Sequence, residues 1–181
     1  MALEDVTLVG KGAFAGDTLL NLGNLKTSLD LMSVIKGDEY KIEAIELKDV
    51  YVDAIVNKAG MQNWDILKET PTDTSTASPF KLALKKFILD NVNLEYNDFT
   101  NGDELKIENI EHQGKGDFST EVFDYISKTS IEKLSLKQGL ISYLKNSKLN
   151  FDSKININQT ENKYSFKDAK LTLNDLGLLF N

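Results

Sequence analysis

A short frame of hydrophobic and polar positions recurs along this chain. In residues 45–52 and again in residues 87–94, apolar side chains occupy the first, third, sixth and eighth places. Partial copies cover residues 3–8, 105–112, 134–141 and 164–171. Side chains two positions apart lie on the same side of a β-strand. Each half of the frame therefore predicts a strand with one apolar side.

The step of three between the third and sixth places requires a local change in the backbone. Without it, the second pair of apolar side chains would turn to the opposite side of the strand. One extra residue, in a β-bulge or a bend, restores the common side, and Asp, Asn and Gly tolerate the conformation that this requires. We therefore predict bulges or bends near Asp49, Asn91, Asn109, Gly139 and Asp168.

These patterns predict a mainly β fold. We expect a meandering, largely antiparallel sheet that is curved or forms a groove, built from repeated strand motifs, with a few short helices. Further strands are predicted over residues 25–34, 148–158 and 171–173. Short helices are predicted near residues 15–20 and 120–126, and one helical turn over residues 60–67 with Asn63 as its N-cap.

A longer similarity divides the chain into two related parts. Residues 3–14 and 107–118 share an apolar–acidic–polar–apolar start and a later Gly-Lys-Gly. We expect half-units of about 1–69 and 80–181, joined by an exposed linker over residues 70–79 that is rich in Thr, Ser and Pro. Because the chain stops inside an apolar stretch, we interpret residues 1–181 as one β-rich fragment of a longer protein.

The charge and the composition argue against several classes of function. The net charge is −7, which argues against a nucleic-acid partner, because binding to phosphate groups requires a basic face. The chain has no cysteine, which excludes disulfides and thiolate chemistry. No run of about 18 apolar residues occurs, so we expect no transmembrane segment in this fragment.

Residues that could carry chemistry are few and scattered. His112 would need partners to act as an acid, a base or a metal ligand, and the spacing indicates none, so a structural or merely exposed histidine is favoured. Trp64 is either an anchor for a ligand or, as we favour, a plug over the end of the sheet. The carboxylates follow the polar places of the frame. We therefore predict that the protein is not an enzyme and has no catalytic residue, metal site or cofactor.

One segment resembles a known family. The strand at residues 45–52 is followed by Gly60, Asn63 and Trp64 in the order Gly-x-x-Asn-Trp, then by a Thr/Ser/Pro-rich stretch and a second strand that ends near Tyr96. This order is similar to a signature of the AsmA-like family of bacterial envelope proteins, which are related to TamB and to bridge-like lipid-transfer proteins. The aspartate of the signature is displaced here, to Asp98.

The resemblance implies a function in outer-membrane biogenesis. Proteins of this family have a membrane anchor and a long β-rich periplasmic part, and the family brings no catalytic residue. Their relatives form a curved sheet with an apolar groove that is thought to conduct lipids. The expectation is then a non-enzymatic module of the periplasm or cell envelope that holds or conducts phospholipid or another envelope lipid, in a full-length protein anchored in the inner membrane.

Apolar side chains of the frame are the candidates for lining such a groove. They need a cover, either a second sheet or lipid acyl chains, whose burial contributes about 0.8 kcal/mol per methylene group. The candidates are Ile45, Leu47, Val50, Val52, Phe87, Leu89, Val92, Leu94, Leu134, Leu136 and Ile141. One alternative is a β-sandwich that binds a protein or glycan through its loops, including residues 70–78. Another is an enzyme on a β scaffold, which would need carboxylates that converge in a cleft.

Overall fold

Nine strands form one open sheet. The computed structural model describes residues 2–29, 40–66 and 80–181. The strands are β1 (Ala2–Val9), β2 (Thr18–Leu29), β3 (Tyr40–Val56), β4 (Phe80–Asp98), β5 (Asp103–Lys115), β6 (Val122–Gln138), β7 (Ile141–Asn158), β8 (Lys163–Leu173) and β9 (Leu176–Phe180). Within the described residues, the only helix is a 3₁₀ turn at Gly12–Phe14. The predicted mainly β fold is confirmed.

Strands that follow one another in the chain are neighbours in the sheet, from β1 to β9. Seven of the eight pairs are antiparallel, as predicted, and β3 and β4 are parallel. From Ala44 onward, each residue of β3 lies beside the residue 42 positions later, for example Val50 beside Val92. This register is the alignment of the two complete sequence frames, so the two copies of the motif lie side by side.

The predicted bends coincide with residues in the left-handed region of the backbone. Asp49, Asn91, Asn109, Gly139 and Asp168 have φ values of 53°, 55°, 55°, 56° and 49°. Asp, Asn and Gly adopt this conformation at a lower cost than other residues. The pairing of β4 with β5 shifts register around Asn91 and Asn109, as expected for one extra residue in each strand.

Gly139 forms a turn between two strands and not a bend within one. With Leu140 it connects β6, which ends at Gln138, to β7, which begins at Ile141. The copy of the frame over residues 134–141 therefore spans two strands, and its interpretation as one bent strand is wrong. The physical reason is that a glycine at positive φ suits a tight hairpin as well as it suits a bulge.

Side chains satisfy backbone donors at the bends. The N–H of Asn91 donates to Glu111 Oε1 at 3.0 Å, and the N–H of Asn109 donates to Asn93 Oδ1 at 3.0 Å. In each case the acceptor comes from the neighbouring strand. These bonds replace ladder bonds that the extra residue interrupts, and an unpaired backbone donor would otherwise be costly.

The bends keep apolar side chains on one face of the sheet. Residues directly opposite one another on neighbouring strands project to the same face, so the register defines rows across the sheet. One row, called the central row below, is aliphatic in all nine strands. It consists of Val6, Leu22, Val50, Val92, Ile110, Ile131, Leu149, Leu173 and Leu176. The face that carries this row is called the apolar face.

The opposite face carries ion pairs between neighbouring strands. Lys48 Nζ lies 2.9 Å from Asp90 Oδ2, and Lys133 Nζ lies 2.7 Å from Glu108 Oε2. Comparable pairs join Lys106 to Glu95, Lys137 to Glu104, and Lys154 to Asp124. Exposed pairs of this kind contribute little to stability individually. They give the two faces of the sheet opposite chemical character.

The predicted helices are wrong. Residues 18–20 belong to β2 and residues 122–126 belong to β6, while the described part of residues 60–67 forms turns without a helix. Pairing with a neighbouring strand overrides the weak local preference of such short segments. The predicted strands over residues 148–158 and 171–173 are confirmed within β7 and β8. The linker over residues 70–79, and the end of the predicted strand beyond residue 29, lie outside the described residues.

Candidate functional site

The apolar face is the candidate functional site. Next to the central row lies a second row, called the histidine row, which also crosses all nine strands. It consists of Leu3, Leu25, Leu47, Leu89, His112, Thr129, Phe151, Leu171 and Leu178. Neighbouring strands are about 4.8 Å apart, so the eight spacings make each row about 38 Å long.

The middle of the apolar face is shielded by its own side chains. Leu22, Val50 and Val92 are buried, with Val50 only 5% exposed. They pack against partly buried side chains of the same face: Leu20, Leu25, Leu47, Val52, Leu89 and Ile110. Because all nine strands belong to one sheet, the described residues supply no second sheet over this face.

The strand register places the eleven side chains predicted to line a groove on this face. The register places Ile45, Leu47, Val50 and Val52 beside Phe87, Leu89, Val92 and Leu94, respectively. Leu134 lies beside Ile107, which itself lies beside Leu94. Leu136 continues the same face beside Leu105. Ile141 lies at the β6–β7 hairpin opposite Gln138, which is two residues after Leu136 on β6, and it is 58% exposed.

Apolar side chains continue to both edge strands. On β1, Leu3 and Val6 are exposed, and on β9, Leu176 and Leu178 are exposed. All four belong to the two rows defined above, so the exposed apolar area at each edge is continuous with the buried middle. Contiguous exposed apolar surface is typical of a binding site.

A hollow of about 440 Å³ opens beside β5 and β6. Tyr96, Leu105, Leu136 and Tyr143 line it together with charged residues of the same strand ends. Its volume falls in the range of about 300–1,000 Å³ that is usual for small-molecule sites. An apolar ligand on the sheet could extend into this hollow.

His112 forms a polar cluster within the apolar face. Its Nδ1 lies 2.8 Å from Thr129 Oγ1, and its Nε2 lies 2.9 Å from Tyr125 OH. The ring also lies 5.6 Å from the ring of Phe87, measured between centroids. Burial lowers the pKa of His112 below its usual value of 6.5, so the imidazole is neutral at pH 7.

Gly114 makes room for this cluster. The Tyr125 side chain lies against the backbone of Gly114. A Cβ at position 114 would lie only 1.8 Å from the Tyr125 hydroxyl oxygen. Any larger residue would therefore displace the tyrosine ring. The glycine of the repeated Gly-Lys-Gly thus has a packing function here, and the tyrosine can reach His112 because that side chain is absent.

Sequence reasoning missed both partners of His112. Thr129 and Tyr125 come from β6, and they are 17 and 13 residues from His112 along the chain. No spacing rule connects positions on separate strands, because their approach depends on the register of β5 with β6. A sequence feature that could have pointed to this cluster is Gly114, which repeats Gly10 of the first half of the chain.

Asn63 of the Gly-x-x-Asn-Trp segment closes the end of β3. The N–H of Ile55 donates to Asn63 Oδ1 at 2.8 Å, and Asn63 Nδ2 donates to the carbonyl oxygen of Asp53 at 2.7 Å. The side chain is buried and pairs with the strand as another strand would. Its predicted function as a helix N-cap is wrong, because its hydrogen bonds go to β3 and not to a following helical turn.

Trp64 lies at the same end of the sheet. Its ring centroid is 6.1 Å from that of Tyr96 on β4, and the side chain is partly exposed. Tyr96 also lines the hollow beside β5 and β6. The tryptophan therefore packs beside Tyr96 at an end of the apolar face.

Several acidic side chains are paired with lysines or accept hydrogen bonds in turns. Lys133, followed by Lys106, holds the pKa of Glu108 below its usual range. Hydrogen bonds from Thr100 lower the pKa of Asp98, whose Oδ1 accepts from the Thr100 N–H at 2.8 Å. Across residues 2–29, 40–66 and 80–181, no three His, Asp or Glu side chains converge as a metal site would require.

No helix in the described part of the chain has the length and apolar character needed to cross a bilayer. Comparison with protein-family models, with curated proteins and with solved structures finds no match for this chain.

Proposed function

We propose that this chain is a non-enzymatic module that holds or conducts lipid on its apolar face. The observation that best supports this is the central row, which is aliphatic in all nine strands, from Val6 to Leu176. A path of this length suits acyl chains, because their methylene groups gain about 0.8 kcal/mol each on burial without any specific polar contact.

The open sheet favours lipid over the alternative of a β-sandwich. A sandwich covers its apolar face with a second sheet, whereas the nine strands described here all belong to one sheet. Exposed apolar residues on β1 and β9 leave both edges of the face accessible. Binding through residues 70–78, on which the alternative depends, falls outside the described part of the chain.

The bacterial envelope is the proposed location. This part of the proposal depends on the Gly-x-x-Asn-Trp segment that resembles AsmA-like proteins, and on the parallel pair of frame copies that flanks it. Phospholipid or another acyl lipid of the envelope is then the matching ligand. The envelope assignment and the lipid-binding surface are separable, since the surface is argued from strand register alone.

Lipid binding can be tested on protein purified from a bacterial host. We expect native mass spectrometry to detect phospholipid on the intact chain, and solvent extraction to release it. A variant with Ile131→Thr and Leu136→Gln makes two positions of the apolar face polar and should retain much less lipid. The matched control is Ile126→Thr, because Ile126 lies on the opposite face and is exposed.

Two results would contradict the proposal. One is a folded wild-type protein that carries no lipid and does not take up phospholipid from vesicles of phosphatidylglycerol and phosphatidylethanolamine. The other is equal lipid retention by the two variants, which would mean that the lipid does not contact the apolar face.

A further inference from the structure

We propose that His112, Tyr125 and Thr129 form a binding site for an acceptor oxygen of an acyl ligand, such as an ester carbonyl or a carboxyl group. The inference depends on the proposed function, since it assigns the polar end of a ligand whose chain lies on the apolar face. The three side chains are half-buried. His112 and Thr129 interrupt the histidine row, whose other members are Leu and Phe, and Tyr125 lies beside them on the same face.

The cluster has one hydrogen-bond donor more than it uses. A neutral imidazole has one N–H, and the two hydroxyl groups contribute one O–H each, so three donors serve two hydrogen bonds. If Nδ1 carries the proton, it donates to Thr129 and the threonine hydroxyl hydrogen is spare. If Nε2 carries it, the spare hydrogen is that of Tyr125.

The spare donor has no partner within the described part of the chain. Neither hydroxyl of the cluster makes a further hydrogen bond to the described residues. A half-buried donor on an apolar surface favours a ligand that brings an acceptor, since leaving it unpaired beneath an acyl chain would be costly. Burial keeps His112 neutral, which preserves the count of three donors.

The surroundings fit a ligand with one polar group and a long apolar part. Phe87 lies beside His112, and Phe118 lies 5.5 Å from the ring of Tyr125, measured between centroids. Leu89 precedes His112 in the histidine row, and Ile110 adjoins it in the central row. An oxygen bound at the cluster would therefore place its attached hydrocarbon directly on aliphatic and aromatic side chains.

The experiment compares methyl dodecanoate with dodecane, which has the same apolar chain without oxygen. Displacement of Nile red from the apolar face gives the affinity of each ligand for the wild type and for a variant with His112→Leu, Tyr125→Phe and Thr129→Val. The variant replaces all three polar groups with apolar groups of similar shape, which is often tolerated. We expect the preference for the ester over the alkane to fall by about 2- to 10-fold in the variant, as loss of one neutral hydrogen bond predicts.

The single histidine provides a second readout. Its ring nitrogens give one pair of ¹⁵N resonances, and an acceptor that captures one of the hydroxyl hydrogens should shift the balance of the two tautomers. We expect methyl dodecanoate to move these resonances and dodecane to leave their relative positions unchanged.

The outcomes separate the two proposals. If both ligands bind, but the ester preference is the same in the variant and the ring resonances do not respond to the ester, the polar site is wrong and lipid binding stands. If neither ligand displaces Nile red from folded wild-type protein, and neither perturbs the apolar face, the proposed function fails and the polar site fails with it.

Discussion

Asn91 Nδ2 donates a hydrogen bond to Asp49 Oδ1 at 2.7 Å, and both residues have positive φ. They occupy the same place in the two complete copies of the sequence frame and lie on the parallel strands β3 and β4. The bulges that accommodate the extra residue of each strand therefore lie next to each other, at the same position along β3 and β4. This keeps the apolar side chains on both sides of the bend on one face.

Replacing Asn91 should show how much the left-handed conformation contributes. We expect Asn91→Ala to lower the free energy of unfolding by about 1–2 kcal/mol, because alanine resists positive φ and the bond to Asp49 is lost. Asn91→Gly loses the same bond but accepts the conformation, so its effect should be smaller. Urea denaturation measures both variants, and equal effects would mean that the backbone conformation costs little here.

A charge in the central row should disrupt the fold. Val50→Asp or Val92→Asp would bury an unpaired carboxylate among aliphatic side chains, and we expect a loss of several kcal/mol in the free energy of unfolding. The control is Ile126→Asp, at an exposed position of the opposite face, which should change stability by less than about 1 kcal/mol. Thermal and urea denaturation provide the comparison, and an unchanged Val50→Asp variant would show that the assigned face is wrong.

Gly114 should not tolerate a side chain. In Gly114→Ala the new Cβ would collide with Tyr125, and we expect a loss of about 1–3 kcal/mol and a changed environment for His112. Gly177→Ala is the matched control, because no atom lies within 4 Å of a Cβ at that position. Adding Tyr125→Leu to Gly114→Ala should recover part of the stability. Similar stability of the two single alanine variants would contradict the packing described for Tyr125.

Stability should fall as the pH decreases through the range where an unfolded histidine gains its proton. Burial lowers the pKa of His112 in the folded state, so the unfolded chain binds the proton first, at about pH 6.5. The stability that neutral His112 contributes is fully present above that pH and is lost progressively below it. The unfolding free energy of the wild type minus that of His112→Leu should therefore decrease as the pH is lowered from 7.5 to 5. A difference that is constant with pH would show that burial does not shift this histidine.

The buried amide of Asn63 should be needed at the end of β3. We expect Asn63→Ala to cost about 1–3 kcal/mol, because the Ile55 N–H and the Asp53 carbonyl oxygen lose their partner. Gln62→Ala, in the same loop and at an exposed position, should have little effect. Hydrogen exchange at the Ile55 amide gives a local readout, and continued protection of that amide in Asn63→Ala would contradict the proposed pairing.

Local sequence patterns predicted the strands because the conformation of a strand depends mainly on residues that are close together in the chain. The spacing of apolar residues and the Asp or Asn before Val50 and Val92 indicated both the strand and its bend, since each depends on the conformation of a few adjacent residues. The short helices failed for the same reason. Residues 15–20 and 120–126 have no strong local preference, and pairing with distant strands determines their conformation.

The sequence by itself determined the alternation of apolar and polar places, the positions of the bends, and the similarity of the strands to one another. Only the tertiary structure decided that β3 and β4 are parallel, that the rows cross nine strands without a second sheet among the described residues, and that Tyr125 and Thr129 meet His112. The physical reason is register. A strand carries its pattern in its own residues, but which residues face one another depends on hydrogen bonds between strands, and these join positions far apart in the chain.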